Sequence, residues 1–340
     1  MKGCLKQLTF LLFMAALFLG TVYGVASLFR APSSSPRIVR VEVPRHTSVR
    51  AIAELLQARG LIRHRYAFML MARLMGESNN MKAGEYELQP RMSLLEIIDK
   101  LARGDAVAVW FTVPEGYTVS QVADTLAQLG MVERHRFLRL AQTGASGFDV
   151  GWKIPRRSLE GYLFPDSYKF KKGVGEKTIL MGMLRNFHAK VVEGLSEQVP
   201  GTRLRVGSLP LDKVVILASL IEREARVPED RPLIAAVIYN RLKRHMLLQI
   251  DATVLYALGH HKQTVELADL KVDSPYNTYE HPGLPPGPIC SPGLESIQAA
   301  LRPARVDYLY YVARADGRHL FSSTLAEHNA AVKKARSGAS

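Results

Sequence analysis

The run Val214–Arg226, read as VVILASLIEREAR, constrains the fold of this chain more than any other stretch. It is nearly all apolar, has no Gly or Pro until Pro228, and ends in two carboxylates, Glu222 and Glu224, with Arg223 between them. That pattern predicts a buried helix. Residues two apart on a helix point about 200° away from each other, so the two glutamates cannot share a face. Glu224 continues the stripe Val214, Leu217, Leu220/Ile221, whereas Glu222 continues Val215, Ala218 and Ser219. A carboxyl that extends an apolar stripe is partly desolvated, which raises its pKa. A glutamate held protonated near neutral pH is what a general acid requires. The plainer alternative is a solvated helix end whose glutamates pair with Arg223 and Arg226. The helix by itself favours that alternative, because ordinary ion pairs are far commoner than acids.

The 340 residues allow two or three domains and a substantial core. Lys and Arg number 45 against 31 Asp and Glu, a formal net charge of +14. Such a surface favours anionic partners. The basic residues are dispersed, and no zinc-finger spacing or RNA-recognition signature accompanies them, so nucleic acid is not an expected partner. Cys4 precedes an apolar N-terminal segment and Cys290 lies far beyond it, which predicts two thiols on opposite sides of a membrane and no disulfide. There is no metal-type cysteine cluster, and neither a metal nor a cofactor is expected. His260-His261 reads as a solvated turn, and His319 and His328 as structural hydrogen bonders.

Leu8–Phe29 is uncharged over about 22 residues, enough to span a bilayer. Lys2 and Lys6 precede it, which favours a cytoplasmic N-terminus of residues 1–7. A cleaved signal peptide, with Val25-Ala26-Ser27 as its site, is the competing reading; the length of the run argues for an uncleaved anchor at 8–29. Residues 30–38, with Ala31–Pro36 as APSSSP, read as a short linker.

Two segments beyond the linker resemble each other: VEVPRHTSVRAIAELLQARGLI at Val41–Ile62 and FTVPEGYTVSQVADTLAQLGMV at Phe111–Val132. Each predicts a strand, a turn and an amphipathic helix stopped by Gly60 or Gly130, with Ser48 or Thr118 as N-cap. Between them, Lys82–Asp105 repeats the logic, with a strand around Tyr86–Leu88 and a helix capped by Ser93 and closed by Gly104. Such units look like LysM-type glycan-binding modules; a plain α+β spacer is the equal alternative.

Further on, LEGYLFPDSYKF at Leu159–Phe170 places Tyr162, Phe164 and Tyr168 beside Glu160 and Asp166, a composition that suits either a sugar groove or a core loop with a Pro-Asp turn. Asp230–Pro232 opens a helix, LIAAVIYNRLKRHM, carrying Tyr239 and Asn240, and LQIDATVLYALG follows with Gln249, Asp251 and Thr253. Ser274–Gly293 is dense in Pro and Gly and predicts an ordered loop lining a site. The C-terminal stretch predicts a hairpin across Ala315-Asp316-Gly317 and a final helix.

Taken in order, KAGEYEL, LEGYLFPDSY, ASLIEREA, VIYNRL, LQIDATVLYALG, SPYNTY, GLPPGPICSPG and RHLFSSTLAEHN resemble the pattern of the endolytic murein transglycosylases, the YceG-like family. The resemblance covers nearly the whole chain beyond the N-terminal apolar run. It implies a single-pass inner-membrane protein with its catalytic domain in the periplasm, which cuts peptidoglycan glycan strands internally and leaves 1,6-anhydro-N-acetylmuramic acid ends. It puts the catalytic carboxyl on Glu224, in agreement with the stripe argument. The chain departs from the pattern at Ala252, where the family reads Asp-Pro-Thr.

The resulting expectation is an α+β protein: anchor, LysM-like subdomain over 39–110, and a mixed α/β catalytic domain over 111–340 that opens with a second strand–helix unit at 111–145. Glu222 and Asn240 are expected to support Glu224, and Tyr168, Gln249, Asp251, Thr253, Tyr276 and Asn277 to line the sugar groove. Glycan strands, the membrane and the synthases of the elongation machinery are the expected partners. Two other classes remain open: a hydrolytic muramidase pairing Glu224 with Asp166 or Glu160, and a non-catalytic wall-binding scaffold.

Overall fold

A computed structural model describes residues 2–143, 147–196, 205–206, 209–259, 262 and 265–337; the His260-His261 pair lies outside them. The described chain mixes helices with small two-stranded sheets and divides into two units. One comprises Met1–Trp110 with Lys169–Val174, the other Phe111–Tyr168 with Gly175–Ser340.

The first unit begins with helix α1 (Lys2–Leu28), on which Phe13, Leu17, Phe18, Leu19, Val22 and Tyr23 are exposed. The segment expected to span a membrane is therefore helical, but among the described residues no helix is long and apolar enough to cross one. Strand β1 (Val39–Val43), helices α2 (Val49–Ala58) and α3 (Arg65–Leu74), strand β2 (Gly84–Leu88) and helix α4 (Leu94–Arg103) follow. β1 and β2 are antiparallel, with Val41 opposite Tyr86. Alternation along β1 turns Val41 and Val43 inward and Arg40 and Glu42 out. Ile52, Leu56, Phe68, Tyr86, Ile97 and Leu101 complete one core from both strands and all three helices. The expected caps form. The Ser48 hydroxyl accepts from the Ala51 N–H, and Ser93 and Glu96 make a reciprocal capping box. Gly104 closes α4 at φ 65°, a left-handed conformation that glycine adopts without penalty.

In the rest of the chain, β3 (Ala108–Thr112) pairs with β4 (Ser167–Lys171), a strand that the Pro-Asp loop reading omits. Helix α5 (Val119–Gln128) carries its own capping box between Thr118 and Gln121, and α6 (Arg134–Thr143) follows. Helix α7 (Glu176–Phe187) runs through a π turn at His188–Glu193 into the short α8 (Gly194–Ser196), and β5 (Arg205–Val206) pairs with β6 (Leu209–Pro210).

The predicted central helix is α9 (Leu211–Glu224), buried from Val214 to Ile221. It stops at Glu224 rather than Arg226. Pro228 drives Val227 into extended backbone, and Ala225 has already left the helix at ψ 123°. Helix α10 (Arg231–Lys243) has Pro232 in its first turn, where no N–H is needed. Helices α11 (Asp251–Leu258) and α12 (Leu294–Leu301) bracket the Pro/Gly-rich loop. The expected hairpin is β7 (Tyr310–Ala313) with β8 (His319–Ser322), turning through Gly317 at φ 86°, and α13 (Leu325–Ser337) follows.

Ser219 explains how the Pro/Gly-rich loop reaches α9. Its fully buried hydroxyl donates to the Ile216 carbonyl and accepts from the Ile289 N–H at 3.1 Å, while the Cys290 thiol donates to the Ser219 carbonyl. Gly161 is packed as tightly. A Cβ there would stand 2.6 Å from Pro288 and 2.9 Å from Val215, and its φ of +84° also favours glycine.

Candidate active site

The end of α9 presents the two glutamates to different neighbours. Glu222 accepts a 2.9 Å hydrogen bond from the Gly293 N–H, at the N-terminus of α12, where a carboxylate interacts favourably with the helix dipole. Glu224 accepts a 3.0 Å hydrogen bond from the Tyr311 hydroxyl on β7. Its carboxyl is also approached by Asp251 and the Ala252 backbone N–H at the start of α11, and by Arg223 from its own helix.

Desolvation is the main cause that pushes the Glu224 carboxyl up to about 7, and the Asp251 charge adds to it. The hydrogen bonds from Tyr311 and Ala252 and the charge of Arg223 act in the opposite direction, because each favours the anion. The residue as a whole is half-buried while its carboxyl is enclosed by protein. That combination can hold a proton at neutral pH and hand it on.

Around Glu224 the geometry is braced by long-range bonds. The Tyr279 hydroxyl donates to Asp251 Oδ1 at 2.5 Å. Arg241 donates from Nε to the Leu309 carbonyl at 2.7 Å and from Nη1 to the carbonyls of Leu247 and Leu248 and to Gln249 Oε1. Gln249 sits in the left-handed region at φ 54°, uncommon for a residue with a side chain. Asn240 donates to the carbonyls of Val306 and Tyr308 at 2.8 and 2.9 Å, so it ties α10 to the approach of β7 and makes no bond to Glu224.

Three of the expected groove residues are interior ties. Tyr168 is 8% exposed; its hydroxyl donates to the Phe164 carbonyl and accepts from Asn186, and its ring stacks on Phe111. Thr253 is fully buried, bonded to the Ile250 carbonyl and the Thr278 hydroxyl. Asn277, also fully buried, donates to the carbonyls of Leu270 and Val272. In all three the polar atoms are occupied inside the fold, as buried polar groups usually are. Asp251 faces Glu224 and Gln249 is bonded to Arg241; Tyr311 on Glu224, Tyr279 on Asp251 and Arg241 beside Tyr311 are absent from the expected site.

Tyr276 belongs to a second cluster. Its ring lies 4.9 Å from that of Tyr256, whose hydroxyl donates to Glu160 Oε2 at 3.4 Å. Glu160 is 8% exposed and also accepts from the Val119 N–H, so it caps the start of α5. Desolvation pushes its carboxyl up to about 7 as well. It lies at a cleft of about 390 Å³, whose lining includes Ser120, Gln142, Ser158, Arg223 and Ala252. Arg223 and Ala252 are the groups that also touch the Glu224 environment, so the cleft adjoins the α9 end. Among the described residues no group of three His, Cys, Asp or Glu is placed to hold a metal.

A family model described as "YceG-like family" matches residues 41–334. A protein of Bacillus subtilis named endolytic murein transglycosylase is 37% identical over 327 residues, covering 92% of this chain and 89% of its own length. One of the same name from Streptococcus pneumoniae is 32% identical over 356 residues, covering 95% of this chain and 63% of its own length. The crystal structure of a YceG-like protein from Listeria monocytogenes matches with a TM-score of 0.56 at 37% identity, over 87% of this chain and 99% of that one.

Proposed function

The chain belongs to the YceG-like family, and from that premise we propose that it is an endolytic murein transglycosylase with Glu224 as its single acid and base. The observation that carries the residue assignment is the surroundings of Glu224: a carboxyl held near pH 7 by burial, with a tyrosine hydroxyl ready to stabilise its anion.

The protonated Glu224 donates to the glycosidic oxygen between N-acetylmuramic acid and N-acetylglucosamine, and the bond to the anomeric carbon breaks. The carboxylate then takes the proton of the muramic 6-hydroxyl as that oxygen bonds to the anomeric carbon. The ring closes to the 1,6-anhydro sugar and Glu224 is protonated again, so the cycle consumes no water. The substrate's N-acetyl group can stabilise the cationic carbon from within, which removes the need for a nucleophilic carboxylate. The cleft beside Glu224, with hydroxyl and amide side chains on its wall, suits the hydroxyls and amides of an adjoining sugar.

The β1–α2–α3–β2 unit, with its antiparallel strand pair, is our candidate LysM-like glycan-binding module. The exposed apolar side chains of α1 and the uncharged run that bears them support attachment to the inner membrane, with the sites on the periplasmic side. That location would bring the chain close to nascent strands and to the synthases that extend them.

The test is mass spectrometry of products from peptidoglycan, wild type against Glu224→Gln. Ends one water lighter than a hydrolysed sugar, absent with the variant, support the assignment. Reducing ends of full mass would replace it with the muramidase reading, which pairs Glu224 with a second carboxylate. Equal cleavage by both proteins would remove Glu224 from the mechanism.

A further inference from the structure

We propose that Tyr311 is a positioning residue for Glu224: its hydroxyl holds the carboxylate left when the proton has been given away, and the buried Asp230–His319 pair holds Tyr311 in place. This rests on the reading of Glu224 as the acid. The geometry is a relay of contacts, Glu224 to Tyr311 to His319 to Asp230, that meets at one strand face. Asp230 Oδ2 accepts from both the His319 backbone N–H and its ring Nδ1, each at 2.8 Å. The His319 side chain is only 4% exposed, and its ring stands edge-on to Tyr311 at 5.4 Å and 89°. The two rings are diagonal neighbours on the hairpin, since Tyr311 pairs with Phe321 and Ala313 with His319. Asn240 and Arg241 bond the carbonyls of Val306, Tyr308 and Leu309 just before β7. The hairpin is thus fixed to α10 at its entry and to the start of α10 at its far strand, with Tyr311 between the two fixings.

A hydroxyl donor to a carboxylate is a charge-assisted bond, stronger than the same bond to a neutral acid. Tyr311 therefore favours the state of Glu224 that must exist between the two proton transfers. The groups that face Glu224 divide by sign. Tyr311 from β7, the Ala252 N–H from α11 and Arg223 from α9 favour the anion; Asp251 from α11 opposes it. Tyr279 faces Glu224 as well, with its hydroxyl bonded to Asp251, and Arg241 acts at one remove, on Tyr311 by charge.

The test follows the Glu224 carboxyl directly, by NMR titration of carboxyl-labelled protein, alongside the pH profile of cleavage. In Tyr311→Phe the Glu224 titration should move up by about one pH unit, and the alkaline limb of activity with it. Loosened packing would let water reach the carboxyl and move its titration the other way, towards its ordinary value of 4.5. Asp251→Asn should move the titration down, which fixes the sign of the measurement in a second variant. Asp230→Asn should reproduce a part of the Tyr311→Phe shift. An unmoved or lowered titration in Tyr311→Phe overturns the inference even if Glu224 proves to be the acid. A raised titration in a protein whose Glu224→Gln variant still cleaves would leave the inference about Tyr311 and Glu224 standing as electrostatics and remove its catalytic meaning.

Discussion

Glu160 and Glu224 are a natural experiment in one molecule. Both carboxyls are enclosed by protein, and burial pushes both up to about 7. Their surroundings differ. Glu160 has the Val119 N–H and the Tyr256 hydroxyl on it and holds the first N–H of α5, beside the Thr118 cap. Glu224 ends its helix, is half-buried, and is faced by donors on one side and by Asp251 on the other. A displaced proton affinity thus marks two different situations: one glutamate held by donors at a helix start, and one with groups of both signs about its carboxyl. Burial alone does not set Glu224 apart; the balance of groups that favour and oppose its anion does.

The comparison breaks most directly at Glu224→Gln, which should lower cleavage by roughly a thousandfold or more with an unchanged circular dichroism spectrum. If Glu160→Gln were as damaging to cleavage, the two sites would not be different in kind. The second expectation concerns stability. The proton affinity of Glu160 is raised on folding, so its contribution is fully present below about pH 4.5 and is lost as pH rises through about 7. Relative to the wild type, Glu160→Gln should therefore gain stability between pH 4 and pH 8, by up to about 3 kcal/mol in denaturant unfolding. Glu222→Gln comes third. It removes the charge at the head of α12 while Glu224 keeps its own neighbours, so cleavage should fall about tenfold or less. Loss equal to that of Glu224→Gln would show that the two faces of α9 act as one site. The smallest effect is expected from Ala252→Pro. Proline fits the first turn of a helix but has no N–H, so Glu224 loses one group that favours its anion. The alkaline limb of the rate should rise by about half a pH unit.

Local features were the ones readable in advance. Ser48, Ser93 and Thr118 cap helices through bonds to residues three positions on, and Gly104 stops one within the next turn. The separation of Glu222 from Glu224 follows from the helical period alone, and the structure gives them separate neighbours. What escaped is long-range. Tyr311 and Glu224 are 87 positions apart, and nothing around either residue announces the other. β4 is called into being by β3 across the whole of α5 and α6. Tyr168, Thr253 and Asn277 show the reverse problem. A polar or aromatic residue in a rich motif has the same letters whether it faces a ligand or ties down a loop, and only the identity of its partners separates the two.

The hairpin that carries Tyr311 has a consequence for the order of synthesis. Glu224 leaves the ribosome well before residues 306–322, so a growing chain can hold α9 complete while its carboxyl still lacks the hydroxyl, the histidine brace and the two anchors from α10. Until those residues arrive the glutamate sits among fewer protein atoms and more water, and behaves as an ordinary acid. The arrangement around Glu224 is therefore one of the last things the chain acquires, and a product broken off before residue 306 would carry the glutamate without its partners on β7 and β8.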